Sequence, residues 1–164
     1  MIFIGIGANL PSERFGNPLE TCEAALKALD GAGVRVLRRA RWYKSAPVPL
    51  SDQPWFINGI AEIETELTST EVLARLHAIE AGFGRVRGVR NAARVLDLDL
   101  IAYGDEVADG AGGGGTVPHP RMAERAFVLL PLAELAPGWR HPATGTGIAE
   151  LVAALPPGQV AEPL

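Results

Sequence analysis

Hydrophobic and polar positions along this chain follow two periods, one typical of strands and the other typical of helices. Apolar residues fill positions 2–8, which predicts a buried strand. Apolar residues at helical spacing over about 17–30 predict a helix that ends at Gly31. Two strand-like stretches follow, at about 34–44 and about 55–66. The first part of the chain is therefore expected to fold as strand, helix, strand and strand.

The second part of the chain adds another helix and another strand. Thr68-Ser-Thr-Glu71 is a capping-box sequence, so we expect a helix to begin there and to end near Gly82. A strand is predicted at about 95–103. Two short helical stretches, at about 121–136 and about 147–154, are expected to follow it.

The element order β-α-β-β-α-β predicts a ferredoxin-like α+β sandwich. Such a fold has a four-stranded antiparallel sheet with helices on one face, which leaves the other face for loops and ligands. Strand alternation places Phe56 and Asn58 on the open face and three apolar residues on the covered face, namely Ile57, Ala61 and Ile63. A length of 164 residues suits one domain, and we expect residues 1–164 to form it.

Composition and charge describe an ordinary globular protein, with 48% hydrophobic residues, 21% charged residues and a net charge of −4. A net acidic chain is not held on nucleic acid by its overall field, so no nucleic-acid partner is expected. Residues 1–7 are too short for a signal peptide or a membrane span. We expect the protein to be cytoplasmic, with no membrane partner, and we also expect a monomer. Cys22 is the only cysteine, which excludes an intrachain disulfide and a cysteine-based metal site, and its place on the apolar helix stripe predicts a buried thiol.

The stretch Arg94-Val-Leu-Asp97-Leu-Asp99-Leu carries the clearest chemistry. As a strand it places both aspartates on one face and the leucines Leu96, Leu98 and Leu100 on the other. Like charges ~6–7 Å apart repel by roughly 2–3 kcal/mol at an effective dielectric of 20, so a compensating cation is expected. Four arginines stand close upstream or at its start: Arg85, Arg87, Arg90 and Arg94. This combination is typical of a site for Mg²⁺ and a polyphosphate.

Each of these features also has a simpler interpretation. The aspartates are alternatively solvated residues on an exposed sheet face, and the arginines a solvated loop. Glu80 is alternatively a surface charge, and His119, which stands between two prolines, an ordinary loop histidine. Two glycine patterns give no nucleotide signal, because Gly5-x-Gly7 lacks a third glycine and Gly110–Gly115, a flexible insertion, lacks the lysine of a P-loop. A nucleotide would therefore be held by side chains and metal.

Several motifs in a fixed order cover almost the whole chain. They are Gly5-Ile-Gly7-Ala-Asn9-Leu, Tyr43-x-Ser45-x-Pro47, Asp52-Gln-Pro54-x-Phe56-x-Asn58, Ile79-Glu80-x-x-x-Gly84-Arg85-x-Arg87, Arg94-x-Leu-Asp97-Leu-Asp99, Val117-Pro-His119 and Arg125-x-Phe127. With these motifs the chain resembles the 6-hydroxymethyl-7,8-dihydropterin pyrophosphokinase family of folate biosynthesis. It departs from many members at Arg90-Asn-Ala-Ala-Arg94, where they carry Trp-Gly-Pro-Arg.

The resemblance implies a ferredoxin-like fold and a reaction in which ATP gives its pyrophosphoryl group to the pterin hydroxymethyl, releasing AMP. It implies that Asp97 and Asp99 hold two Mg²⁺ ions that bridge the phosphates of ATP, the co-substrate. Arg85 and Arg94 match arginines that assist catalysis. Positions that line the pterin pocket are matched by Ser45, Ala46, Val48, Phe56, Asn58 and Phe127. Positions that contact ATP are matched by Glu80, Arg87, Leu100, Thr116, His119 and Arg125.

The residues by themselves leave two other functions open. The first is a Mg²⁺-dependent nucleotidyl transferase that uses the same Asp-x-Asp pair and releases pyrophosphate instead of AMP. The second is a ferredoxin-like module that binds a ligand without catalysis and consumes no ATP. The by-product of the reaction distinguishes the three possibilities.

Overall fold

A computed structural model describes residues 1–84, 93–111 and 115–164. The strands are β1 (Ile2–Ala8), β2 (Arg35–Arg39), β3 (Tyr43–Ser45), β4 (Phe56–Glu64), β5 (Asp97–Tyr103), β6 (Ala108–Asp109), β7 (Thr116–Val117) and β8 (Ala161–Pro163). The helices are α1 (Pro18–Asp30), α2 (Ser69–Gly82), α3 (Ala126–Leu135) and α4 (Ile148–Ala153), with one 3-10 turn at Met122–Glu124. The predicted α+β class with an antiparallel sheet is confirmed.

The main sheet runs β5-β1-β4-β3-β8, and β2 also pairs with β4. Every pairing in it is antiparallel. The central strand β1 sets the register of the strands on both sides, because Gly7 pairs with Asn58 of β4 and with Asp97 of β5. Gly5 pairs likewise with Asp99. The sheet thus brings the aspartates of one strand and the amide of another to the two sides of one glycine-containing strand.

Helices α1 and α2 form because their first turns are capped as the sequence predicts. Asn17 and Glu20 make a capping box for α1, and Thr68 and Glu71 make one for α2. Both helices pack on one face of the sheet, where their apolar stripes meet the predicted inward set Leu96, Leu98 and Leu100. Cys22 is fully buried in this core, as predicted.

The expectation that helices cover only one face of the sheet is wrong. Helix α3 packs on the opposite face, where Leu129 and Leu132 lie in a second core with Phe3, Ile60 and Ile101 of the sheet. The cause is the composition of the helix, AFVLLPLAEL, since a helix that is apolar nearly all round must be buried on most sides. Helix α4 packs against α3 in the same core. The open part of this face is therefore limited to the region beside the start of α3.

The single strand predicted at about 34–44 is divided into β2 and β3. Both pair with β4, but the chain leaves regular pairing at residues 40–42. Trp42 turns into the core there, and its ring lies against Gly59 of β4, which has no side chain to block it. The alternation of apolar residues does not reveal such an interruption, because residues on both sides of it still alternate.

The helical stretches predicted at about 121–136 and about 147–154 are present, the first as the 3-10 turn and α3 and the second as α4. The chain then adds a further strand, so the prediction of four strands is incomplete. β8 pairs with β3 at the edge of the sheet, where Pro163 is tolerated because an edge strand needs no hydrogen bond on its outer side. The predicted flexible insertion at Gly110–Gly115 includes residues 112–114, which lie outside the described residues. None of the helices in the described ranges is both long and apolar enough to span a bilayer.

Candidate active site

A cavity of about 340 Å³ opens on the sheet face opposite α1 and α2, beside the start of α3. Strands β1, β4 and β5 form its floor, and the loop after β3 and the segment before α3 form its sides. All the residues matched to the pterin pocket line it: Ser45, Ala46, Val48, Phe56, Asn58 and Phe127. Arg94, Asp97, Asp99, His119 and Arg125 line it as well. Residues that are far apart in the sequence therefore share one cavity.

Asp97 and Asp99 form the acidic part of the cavity. Their carboxylates point the same way because strand alternation sends Leu98, which lies between them, to the opposite face of the sheet. Leu98 lies there in the core formed with α1 and α2, which we call the helix-side core. Arg94 Nη1 lies 3.1 Å from Asp97 Oδ1, and Arg125 Nη1 lies 4.0 Å from Asp99 Oδ2. These cations offset part of the repulsion between the two carboxylates, which remain 24% and 31% exposed and so accessible to a ligand.

His119 is held beside the same carboxylates by its backbone, since its N–H donates to Ile101 O of β5 at 2.8 Å. Its Nδ1 accepts a hydrogen bond from the backbone N–H of Arg121 at 3.1 Å. Burial, followed by the nearby Arg125 charge, lowers the pKa of His119 to about 4. The ring is therefore neutral near pH 7, and because Nδ1 is the acceptor the proton is on Nε2, which lies 3.9 Å from Asp99 Oδ1.

The opposite part of the cavity holds an amide group. Ser45 Oγ donates a hydrogen bond to Asn58 Oδ1, and both residues are buried. The amide oxygen is thereby used within the protein, so the pair presents the Asn58 Nδ2 donor to a ligand. Gly7 leaves the space that this amide occupies, because a Cβ at that position would lie 2.9 Å from Asn58 Nδ2.

Two aromatic rings, those of Phe56 and Phe127, stand near this amide in the cavity wall. The guanidinium carbon of Arg125 lies 5.4 Å from the centroid of the Phe127 ring, so one arginine contacts both the aromatic part and the acidic part of the cavity. Flat rings favour aromatic walls, and a hydrogen-bond donor at the edge of such a slot fixes the orientation of a heterocycle.

Six of the residues singled out from the sequence lie elsewhere or outside the described ranges. Glu80 of α2 is buried in the helix-side core. Its carboxylate accepts a hydrogen bond from Leu98 N at 2.9 Å and so connects α2 to the backbone of β5. The Leu100 side chain is in the same helix-side core. Thr116 is exposed on the β6–β7 hairpin and is not among the residues that line the cavity. Arg85, Arg87 and Arg90 lie outside the described residues.

The sequence indicated no role for two residues that the structure places in the cavity or directly beside it. Arg121 lines the cavity beside His119. Asn9 lies just outside it and hydrogen-bonds to the backbone of Arg94. The available signals were weak, since Arg121 follows His119 by two positions and Asn9 is part of the first motif.

The two carboxylates fit Mg²⁺ better than a metal enclosed by protein. Among the described residues no group of three or more His, Cys, Asp or Glu side chains is arranged to hold a metal ion. Mg²⁺ is commonly bound by one or two carboxylates together with water and substrate phosphates, which is the donor set that an accessible aspartate pair can complete. Asp97 and Asp99 are therefore the residues that would hold it.

The fold and the cavity together define an α+β protein in which one cavity joins an aromatic, amide-lined part to an acidic, metal-compatible part. The family model of 7,8-dihydro-6-hydroxymethylpterin-pyrophosphokinase matches residues 3–137. The chain belongs to this family.

Individual relatives agree with this result. The chain is 41% identical over 150 residues to the 2-amino-4-hydroxy-6-hydroxymethyldihydropteridine pyrophosphokinase of Synechocystis, covering 91% of this chain and 73% of that one. It is 40% identical over 156 residues to the Pseudomonas aeruginosa protein of the same name, covering 94% and 91%. A Plasmodium falciparum HPPK-DHPS crystal structure has a TM-score of 0.72 at 12% identity, covering 93% of this chain. The chain spans 43% of that longer protein, and the likeness shows the fold alone.

Proposed function

We propose that this protein transfers pyrophosphate from ATP to 6-hydroxymethyl-7,8-dihydropterin, giving the pterin diphosphate and AMP in folate biosynthesis. The observation that carries the proposal is that one cavity contains both an amide-and-aromatic slot and an accessible pair of aspartates. The first suits a neutral heterocycle, and the second suits a metal-bound polyphosphate. A reaction that joins these two kinds of substrate needs both in one place.

The pterin is proposed to lie between Phe56 and Phe127, with the Asn58 amide N–H groups donating to an acceptor on its edge. Ser45 supports this by holding Asn58 Oδ1, while Ala46 and Val48 close the side of the slot. A site built to hydrogen-bond a particular ring edge discriminates strongly against rings that lack it, because the buried amide is then left without a partner.

The phosphate chain is proposed to lie over β5. Two Mg²⁺ ions, held by Asp97 and Asp99, would neutralise phosphate charge and orient the group that is transferred. Two cationic donors, Arg94 and Arg125, lie beside the same aspartates. The Nε2–H of His119 adds a neutral donor there. Arg85, Arg87, Glu80, Leu100 and Thr116 remain part of the proposal on resemblance alone.

In the reaction, the pterin hydroxymethyl oxygen attacks the β-phosphorus of ATP. A bond forms between these two atoms, the bond from the β-phosphorus to the α–β bridging oxygen breaks, AMP leaves, and the hydroxyl proton is released. Such transfers require mainly in-line positioning and neutralisation of negative charge. The chain's own contribution is therefore to align the pterin slot with β5 and to supply cations along the path.

We further propose that residues 1–164 act as one catalytic domain with the ferredoxin-like arrangement. Support comes from the strand order β5-β1-β4-β3. The two helices of the β-α-β-β-α-β core, α1 and α2, lie on the same face of this sheet. Helices α3 and α4 and strand β8 then are additions to that core.

The decisive test is an assay with ATP, Mg²⁺ and hydroxymethyldihydropterin in which both products are identified by mass. AMP and the pterin diphosphate are expected, and removal of Mg²⁺ with EDTA should stop their formation until the metal is restored. Release of free pyrophosphate with a nucleotide-linked pterin would instead indicate a nucleotidyl transferase. Binding of pterin without any consumption of ATP would indicate a ligand-binding module.

A further inference from the structure

Asn9 has a buried side chain whose hydrogen-bonding groups all contact two other segments of the chain. It follows β1 and is 1% exposed. Its Oδ1 accepts a hydrogen bond from Arg94 N at 2.7 Å. Its Nδ2 donates to Gln53 Oε1 at 3.1 Å and to Pro54 O at 3.0 Å. One amide thus joins the segment before β5 to the segment before β4.

The backbone at this position reinforces the contact with Arg94. Asn9 N and Leu10 N both donate to Arg94 O, at 2.9 Å and 3.1 Å. The peptide groups on the two sides of Arg94 are therefore both held from the end of β1. This fixes the point from which the Arg94 side chain extends to Asp97 and into the cavity.

The other partners of Asn9 lie in the segment that leads into β4, on the opposite side of the cavity from Arg94. Gln53 and Pro54 come just before β4, whose first residue, Phe56, lines the pterin slot. Asn9 itself does not line the cavity. If the Arg94 segment and the Gln53–Pro54 segment moved apart, the buried amide would lose its hydrogen bonds to at least one of them, and unpaired buried polar groups are costly. The amide therefore opposes movement of the Arg94 segment relative to the Gln53–Pro54 segment.

We propose that Asn9 is a positioning residue for pyrophosphoryl transfer, holding the Arg94 peptide and the pterin-side segment in a fixed relation. The proposal rests on the proposed function, in which Arg94 acts on the phosphate chain. Asn9 then influences the reaction through Arg94 and not by contact with either substrate. A shift of about 1 Å in a group that acts on the reacting atoms can lower the rate by about a hundredfold.

Asn9→Ala tests this role against a purely structural one. We expect kcat to fall about tenfold to a hundredfold, while the KM for ATP changes by less than about threefold. Asn17→Ala is the matched control, since it removes the helix-capping amide of α1, and Asn17 does not line the cavity. That variant should lower the melting temperature and leave kcat unchanged. If Asn9→Ala does not fold, the same measurements are made on Asn9→Ser, which keeps a polar group in the buried site.

A double-mutant cycle with Arg94→Ala gives the sharper result. If Asn9 acts through Arg94, the loss of kcat caused by Asn9→Ala should shrink to less than about threefold in the Arg94→Ala background. Losses that multiply, or an unchanged kcat for Asn9→Ala, overturn the proposal. A wild-type protein that does not turn over ATP and the pterin overturns the proposed function instead. The two failures are therefore distinguishable.

Discussion

Asn58 and Asp97 both pair with Gly7, one from each side of the central strand. Neighbouring strands lie about 4.8 Å apart, so these two residues start about 10 Å from each other across the sheet. Both side chains line the cavity, and Gly7 between them adds no side chain. The proposed pterin slot and the acidic pair thus have a fixed separation that a ring and the phosphates next to it can span.

Neutralising one aspartate should abolish transfer while leaving the fold intact. For Asp97→Asn and for Asp99→Asn we expect kcat/KM to fall at least about a hundredfold, because a carboxylate ligand and its charge are lost at the phosphate-binding part of the cavity. Stability should change little, since each change relieves repulsion between two neighbouring carboxylates but also removes an ion pair with Arg94 or Arg125. Calorimetry with Mg²⁺ and a non-hydrolysable ATP analogue measures the lost binding directly.

Asp105→Asn is the control for this prediction, because Asp105 is an exposed residue two positions beyond the end of β5. It should bind the nucleotide as wild type does. Unchanged nucleotide binding in Asp97→Asn and Asp99→Asn would contradict the assignment of a metal site to these residues.

Removing the Asn58 amide should weaken binding of the pterin much more than binding of the nucleotide. We expect Asn58→Ala to raise the Kd for the pterin about tenfold to a hundredfold, corresponding to about 1–3 kcal/mol for a buried donor lost to its ligand. Ser45→Ala should have a smaller effect in the same direction, because it leaves the Asn58 amide in place and removes only the hydrogen bond that fixes its orientation. Binding of the ATP analogue should change by less than about threefold in both variants. Equal losses for both ligands would show that Asn58 has a general structural role.

Strand alternation was the strongest source of correct predictions. It placed Leu96, Leu98 and Leu100 in the core and sent Asp97 and Asp99 to the other face, because a period of two leaves no other arrangement once the leucines are buried. Asn17 and Thr68 likewise could be recognised locally, since a capping box is a contact between residues three positions apart.

Other features depend on contacts that no local pattern contains. The break after β2 occurs because the Trp42 ring fits over Gly59, a residue seventeen positions away. β8 has three residues, one of them proline, and is a strand only because β3 offers an edge. The contact between Asn9 and Arg94 joins residues 85 positions apart. The hydrogen bond from Leu98 N to the Glu80 carboxylate joins residues 18 positions apart.

The contact between Gly59 and Trp42 allows a test of core packing. A Cβ at position 59 would lie 2.6 Å from Trp42 Cε3, and the ring is buried, so it has little room to withdraw. We expect Gly59→Ala to destabilise the protein by about 1–3 kcal/mol, as overpacked cores do, with a change in tryptophan fluorescence. Gly138→Ala is the control because a Cβ there meets nothing within 4 Å. Urea unfolding that gives equal stabilities for both variants would contradict the packing described for Trp42.

Cys22 should make stability depend on alkaline pH. Burial, with a smaller contribution from Glu23, raises the pKa of the Cys22 thiol from 9.0 to about 12. The folded protein therefore keeps this proton in a range where the unfolded chain releases it. The stabilising contribution is complete below pH 9 and is lost progressively as the pH rises toward 12.

We expect the free energy of unfolding to fall by about 1 kcal/mol between pH 8 and pH 10 from this group alone, at 1.36 kcal/mol per unit for one proton. Cys22→Ala serves as the comparison. Its overall stability is lower because it fills the buried site less well, but its stability should decline less steeply over the same pH range. Tyr43, whose pKa is raised to about 12, is present in both proteins and begins to contribute only above its ordinary value of 10.0. Urea unfolding curves at half-unit pH steps measure the two slopes, and parallel slopes would show that the thiol ionises as readily in the folded protein as in the unfolded chain.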